Sequence, residues 1–252
     1  MGLILPHFPS RQQILIYPMT LITWNCQGAF RNKYPSIFAH HPDILVIQES
    51  EHTNKLTHSN PPIQSLWYGD NPHKGISIRT FGTYTIKPHK SHNPDLKYII
   101  PLTVTGEGQT FILLAIWANN AQDKGRYIEQ VWKAIHYYEK LLKQPIILTG
   151  DFNSNTIWDK PRREGNHTAV VNQLAKRNIH SIYHQQYQQE QGKEAHSTFY
   201  LQRKKEKPYH IDYCFASQSF CEKLSSIKVG EYEEWIGLSD HMPLIIRFNT
   251  NL

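Results

Sequence analysis

Cysteine is scarce: Cys26, Cys214 and Cys221 are the only three in 252 residues, and no two form a Cys-x-x-Cys pair. So few and so scattered, they exclude a disulfide framework and a zinc ribbon and read as buried thiols in a reducing compartment, the cytoplasm. No apolar run is long enough to cross a bilayer, so no stable membrane association is expected. Residues 1–18 have apolar patches but are broken by Pro6, Pro9 and Pro18. Lacking a basic start and a small-residue cleavage site, they do not read as a signal peptide. We expect an N-terminal extension there, either an extra strand at residues 13–17 or a flexible segment, and a single domain over residues 19–252. No repeat and no linker divides that span. Acidic residues are also in deficit, 21 against 27 lysines and arginines, for a net charge of +6. That balance favours a polyanionic partner such as nucleic acid or an anionic surface. At 39% hydrophobic and 19% charged residues the chain can bury a sizeable core, which excludes a disordered composition. A monomer is expected.

What is present is a series of short apolar runs with turn residues between them. Residues 20–25, 43–48, 75–79, 83–87, 98–105, 110–118, 145–148, 209–216 and 243–248 read as strands. Apolar spacing at Ile128, Val131, Ile135, Tyr138 and Leu142 predicts a helix over 127–142, and shorter helices are expected at 32–40 and 168–176. Residues 52–62 read as a loop, the Gln-rich 183–193 as a mobile loop, and Arg203 to Lys207 as a basic surface turn. Several half-buried, antiparallel-looking strands with few helices indicate an α+β sandwich, not a doubly wound parallel sheet.

The stretch Gly150-Asp151-Phe152-Asn153 follows the apolar run Pro145-Ile146-Ile147-Leu148. Asp151 and Asn153, two apart, point to one side of an extended segment. They offer one charged acceptor and one amide that both donates and accepts, a pair suited to holding water or a phosphate oxygen beside a cation. The same four residues are good turn chemistry. The rest of the chain tips the balance. Four more apolar strands carry a polar group near an end: Asn25, Glu49, Asp212 and the run Ser239-Asp240-His241. Gathering Glu49, Asp151, Asp212 and Asp240 in one cleft requires a compensating cation. Oxygen ligands without clustered cysteine or histidine point to Mg²⁺ or Mn²⁺.

Trp24-Asn25, Gln48-Glu49, Gly150-Asp151-Phe152-Asn153, His210-Ile211-Asp212-Tyr213 and Ser239-Asp240-His241-Met242-Pro243 together resemble the endonuclease/exonuclease/phosphatase superfamily. The motifs stand in the family's order over nearly the whole chain. The resemblance implies a four-layer α/β/β/α sandwich, with two mixed sheets face to face and helices outside. It also implies metal-dependent hydrolysis of a phosphoester by an in-line water. Carried over, Glu49 would ligate the metal with Asn25 in support and Asp240 close to its shell. Asp151 would orient or deprotonate the water, and Asn153 would bind the phosphate. His241 would donate to the phosphate or serve as acid/base, oriented by Asp212. The turn from His196 to Phe199 is read as structural.

Two positions depart from the pattern. Trp117 stands where relatives have a histidine or tyrosine, and it offers a single N–H donor. His210 stands where many relatives carry arginine. Trp117, Asn119 and His210 are therefore candidate substrate contacts, with a core tryptophan and a surface histidine as the plain alternatives. Lys74, Arg79 and Lys97 read as solvated cations or phosphate contacts. The leading reading is a nuclease acting on DNA, or on RNA. The alternatives are a phosphatase or phosphodiesterase on a small molecule or lipid head group, and a binding protein that keeps the fold without the chemistry.

Overall fold

The computed structural model describes residues 18–56, 61–121, 125–160 and 163–250. The strand or flexible segment expected at 13–17 and residues 57–60 of the expected loop lie outside them. In chain order, β1 (Met19–Asn25), α1 (Tyr34–Phe38), β2 (Ile44–Ser50), β3 (Gln64–Asn71), β4 (Lys74–Thr80), β5 (Thr85–Pro88), β6 (Ile99–Gly106) and β7 (Gln109–Trp117) come first. A small pair, β8 (Asn120–Ala121) and β9 (Gly125–Arg126), leads into α2 (Ile128–Tyr137), β10 (Ile146–Asp151) and α3 (His167–Ala175). Then follow β11 (Ile179–Ser181), α4 (Ile182–Tyr187), β12 (Phe199–Tyr200), β13 (Pro208–Tyr209) and β14 (Asp212–Ser217). The elements α5 (Gln218–Cys221), β15 (Leu224–Val229), α6 (Tyr232–Trp235) and β16 (Leu244–Phe248) complete the described chain.

Two six-stranded sheets result, ordered β15-β16-β1-β2-β4-β3 and β11-β14-β10-β7-β6-β5. Both are mixed, because β1 pairs parallel with β2 and β10 parallel with β7 while their other neighbours run antiparallel. The central strands are apolar on both faces because both faces are covered. Leu21, Ile44, Val46, Leu113, Ala115 and Ile147 meet between the sheets. Ile22, Trp24, Leu45 and Ile47 face the other way, against Ile37 of α1 and Trp235 of α6. Ile112, Leu114, Ile146 and Leu148 pack against Val131 and Ile135 of α2 and Val170 and Leu174 of α3. Each such side chain removed from water contributes roughly 1.5–3 kcal/mol. The four-layer sandwich implied by the resemblance is the architecture observed.

Several elements differ from their sequence readings. The helix expected over 127–142 ends at Tyr137, and a 3-10 turn at Leu141–Lys143 carries its last apolar residues. The one expected at 32–40 is a 3-10 turn at Phe30–Asn32 followed by α1, which Pro35 helps to start. The strand expected over 209–216 is interrupted at His210-Ile211, where the Ile211 carbonyl accepts from the Phe152 amide. The segment taken for a mobile loop opens as helix α4, and Glu194 beyond it is tied to three groups: His184 Nε2 (3.1 Å), the Gly192 amide (3.0 Å) and Asn155 Nδ2 (3.2 Å). Strands β3 and β15 had no clear sequence signal. Both are edge strands, half-exposed, so neither face imposes a clean apolar period.

Candidate active site

The parallel pairs deliver the site. Registers Asn25↔Gln48 and Asp151↔Trp117 place the C-terminal ends of β1, β2, β7 and β10 at the same end of the two sheets. Asp151 also faces Asp212 across the antiparallel β10–β14 pair. The two sheets touch there: Asn25 Nδ2 donates to Asp151 Oδ2 at 3.0 Å, and Gln48 Nε2 donates to Thr23 Oγ1 and to the Ile116 carbonyl.

The local turn behaves as its residue types dictate. Asn153 takes a left-handed φ of 47°, which asparagine tolerates, and its amide N–H donates to Asp151 Oδ1 at 2.8 Å. Its Nδ2 donates to Asp151 Oδ2 (2.9 Å) and to the Ala118 carbonyl (2.9 Å). Gly150 has φ +144°, and a Cβ there would stand 1.8 Å from the Ile116 carbonyl oxygen. Only glycine lets β10 run this close to β7 before the turn.

Asp151, Asp212 and His241 are buried, and one ligand atom of each lies within 4.8 Å of the others. His241 Nδ1 donates to Asp212 Oδ2 at 2.9 Å, a tautomer assigned from this contact. Asp212 Oδ1 is buried without a hydrogen-bond partner. Burial and the neighbouring Asp212 charge push the Asp151 carboxyl up to about 7. Burial pulls the His241 imidazole down, but Asp212, and Asp151 behind it, outweigh this and hold it near 10. The trio thus carries two acids and one strongly held proton.

His241 is set by groups far away in sequence. The Trp24 indole N–H donates to its carbonyl at 2.9 Å, and Ser239 Oγ accepts its amide N–H at 3.0 Å while donating to the Asn25 carbonyl at 2.7 Å. Thr198 Oγ1 accepts from the amides of both Ile211 and Asp212. The motifs flag Trp24 and Ser239, and the turn holding Thr198 reads as structural, but the partners of all three escape a sequence reading, because only the fold brings them together.

Glu49 and Asp240 are both half-buried; burial raises the Asp240 carboxyl, His241 opposes this, and the Glu49 charge adds a smaller push upward. Glu49 sits in a bulge, where the β2–β4 register shifts between Ile47 and Ser50, with φ +59°. Bulges of this kind re-aim a side chain, and strain in a non-glycine residue is concentrated at sites. Its carboxylate meets Lys74 Nζ at 2.9 Å, and that ammonium lies 5.9 Å from the Trp117 ring centre.

The lower-ranked candidates fall differently. Trp117 is a core residue at 7% exposure, packed against a tilted Tyr98 ring 4.7 Å away, with its backbone opposite Asp151. The Asn119 carbonyl and Oδ1 accept from Gln130 Nε2, tying down the start of α2. His210 is not a surface histidine: it is buried, its Nδ1 faces the His196 carbonyl, its Nε2 has no partner, and burial lowers it to about 4. Lys97 pairs with Asp70, and Arg79, within β4, is buried with its guanidinium over the Phe30 ring.

The donor set suits a hard cation. Among the described residues the ligand atoms that converge are those of Asp151, Asp212 and His241, and one buried carboxylate oxygen, Asp212 Oδ1, lacks a donor; Glu49 and Asp240 are not part of that cluster. Sandwich and site together define a phosphoester-hydrolysing enzyme of the DNase I-like class. A family model, the Endonuclease/Exonuclease/phosphatase family, matches residues 22–241, and the chain belongs to that family. No curated protein matches it. Among solved structures it is similar to a 3′ phosphatase, NExo, from Neisseria bound to a product DNA hairpin, with TM-score 0.66, 17% identity, and 92% of this chain and 99% of that one covered. The endonuclease domain of TRAS1, a telomere-specific non-LTR retrotransposon, gives TM-score 0.64 at 15% identity over 93% of this chain and 99% of the other. An AP endonuclease from Leishmania major gives TM-score 0.64 at 13% identity over 92% and 88%.

Proposed function

We propose that this enzyme is a divalent-metal-dependent phosphodiesterase that hydrolyses nucleic acid, DNA foremost. The observation that carries the reading is the cluster of Asp151, Asp212 and His241 joined to Asn25 and Asn153 at one end of the sandwich. Glu49 and Asp240, with Asn25 in support, would hold Mg²⁺ or Mn²⁺. The bound cation would polarise the phosphoryl oxygens and offset the gathered carboxylates.

The chain's own groups supply the rest. Asp151, held by three hydrogen bonds and raised toward neutrality, orients the attacking water and takes its proton. The Asn153 side chain spends both Nδ2 hydrogens on Asp151 and the Ala118 carbonyl, so it would bind the phosphate through an N–H released from one of them. His241, kept protonated by Asp212, donates from Nε2 to a phosphate oxygen where charge develops. Asp212 fixes the tautomer and faces no substrate. Trp117 lies in the floor beneath Lys74, which makes that ammonium the polar group this wall of the site presents. The net charge of +6 supports a polyanionic substrate, as do neighbours that are described as a DNA-bound 3′ phosphatase, an endonuclease domain and an AP endonuclease.

The test is purified enzyme with Mg²⁺, Mn²⁺ or EDTA against single-stranded, duplex and abasic DNA, RNA, and small phosphoesters. Cleavage of nucleic acid that EDTA stops, and that Asp151→Asn abolishes in a folded protein, is the expected result. Phosphate release from small phosphomonoesters alone would move the reading to a small-molecule phosphatase.

A further inference from the structure

Next to Asn153 the surface opens into a pocket of about 270 Å³ whose walls include Tyr127, Trp158, Lys160 and Arg163. It is unusual in what it leaves in water. Tyr127 is 41% exposed, Trp158 47% and the adjoining Ile157 54%, three of the six large apolar side chains exposed among the described residues. Apolar groups left exposed together beside a site mark a binding surface. Both residues sit on anchored backbone. Tyr127 adopts φ 52° and ψ −119°, a conformation costly for a bulky residue, at the N-terminus of α2, and its amide donates to the Asn119 carbonyl. The Trp158 ring is backed by Tyr209 at 4.9 Å, and its turn is pinned by Asn155 Oδ1 accepting from Ile157 N. Asp159, next in the chain, accepts from the amides of His167 and Thr168 at the start of α3. At the mouth Arg163 pairs with Glu129 at 2.7 Å, beside Lys160.

We propose that Tyr127 and Trp158 form an aromatic slot for one unpaired nucleobase adjacent to the phosphate at Asn153, which directs the enzyme to single-stranded or frayed nucleic acid. The inference rests on the nuclease reading above. Its chemistry is stacking: every base has a π-face, and a flat ring entering between exposed aromatic walls gains that contact only if its faces are not already covered. In a continuous duplex the neighbouring base pairs cover them. The cations at the mouth suit the backbone that follows the base.

The experiment uses the full chain with Asp151→Asn, so that substrate is bound and not cut, and reads affinity for a fluorescent oligothymidylate and for a blunt duplex. Trp158→Ala and Tyr127→Ala are each expected to weaken single-strand binding roughly 5- to 150-fold, with a much smaller loss on the duplex. Trp158→Phe is expected to retain most of the affinity; a loss as large as that of alanine would contradict stacking. A baseless sugar walked along the oligonucleotide needs no substitution in the slot. At one position it should cost the parent protein a similar factor and the Trp158→Ala protein little more, the non-additivity of two groups in contact. Equal losses on single strand and duplex, or a baseless sugar that costs both proteins alike at every position, would overturn the slot and leave the nuclease reading standing. Absence of any nucleic-acid binding by the parent protein would overturn both.

Discussion

At the scale of single residues, the site depends on close approaches that few side chains allow. A methyl group at residue 150 would collide with the Ile116 carbonyl, which belongs to backbone and cannot swing away. Gly150→Ala is therefore expected to destabilise the fold by more than about 3 kcal/mol, from the combined strain at positive φ and overpacking. A urea midpoint indistinguishable from wild type would refute this. The Asp151–Asp212–His241 trio makes a kinetic prediction. Asp151 is raised and must be deprotonated to act as base, while His241 is raised and must be protonated to donate. Activity should then rise with pH through a limb well above the ordinary carboxylate range and fall only at alkaline pH, as His241 loses its proton. The two limbs belong to the coupled trio and not to single residues. An acid limb near pH 4 in the pH dependence of kcat/KM would show that Asp151 is not the base. Trp24→Phe should lower turnover at least tenfold with little change in KM, because the lost bond to the His241 carbonyl frees the imidazole to drift.

At the scale of elements, the segment after β11 matters more than its composition suggests. Residues 183–193 look like a mobile Gln-rich loop, yet Glu194 just beyond them gathers His184, the Gly192 amide and the Asn155 side chain of the site loop. Burial works against its charge, but the His184 contact and the Gly192 amide prevail and lower its carboxyl from 4.5 to about 2. A depressed carboxyl stabilises the fold above its unfolded value and loses that contribution as pH falls through the folded one. Glu194→Gln should thus cost on the order of 2–3 kcal/mol near pH 7, with the gap to wild type closing as pH falls from 4.5 to about 2. Denaturation curves at neutral and acid pH decide it; a gap independent of pH would mean that the charge is not what holds the segment. Elements with both faces covered were legible from sequence, as β1, β2, β7 and β10 illustrate. The edges β3 and β15 were not, because half-exposed strands carry no strong period.

At the scale of the whole molecule, a net charge of +6 and the cations bordering the site make an electrostatic prediction. Nucleic-acid binding by the Asp151→Asn protein should weaken linearly in log affinity against log salt, with a slope that counts the phosphates neutralised. Lys160→Gln should reduce that slope by roughly one unit if Lys160 meets a backbone phosphate. A slope unchanged by the substitution would place the strand elsewhere. No helix among the described residues is long and apolar enough to cross a membrane.

The residues themselves determined which chemistry can occur here. Asn25, Glu49, Asp151, Asn153, Asp212, Asp240 and His241 stand at or near strand ends, in an order that matches the family's motifs. Asp151 and Asn153 needed only local rules, since an Asx turn is a property of three residues. Tertiary structure decided the rest. Trp24 and His241 are 217 positions apart, and only the β16–β1–β2 register makes them partners. Glu49 is re-aimed by a bulge that depends on how β4 meets β2, and His210 is packed against Tyr183 of helix α4 as well as against Tyr213. The aromatic slot is of the same kind, since Tyr127 and Trp158 belong to different loops and share a wall only after β7 and β10 lie side by side. Spacing along a chain encodes a strand and its turn; which strand ends meet is set by which pairing buries the most apolar surface, and that is a property of the whole fold.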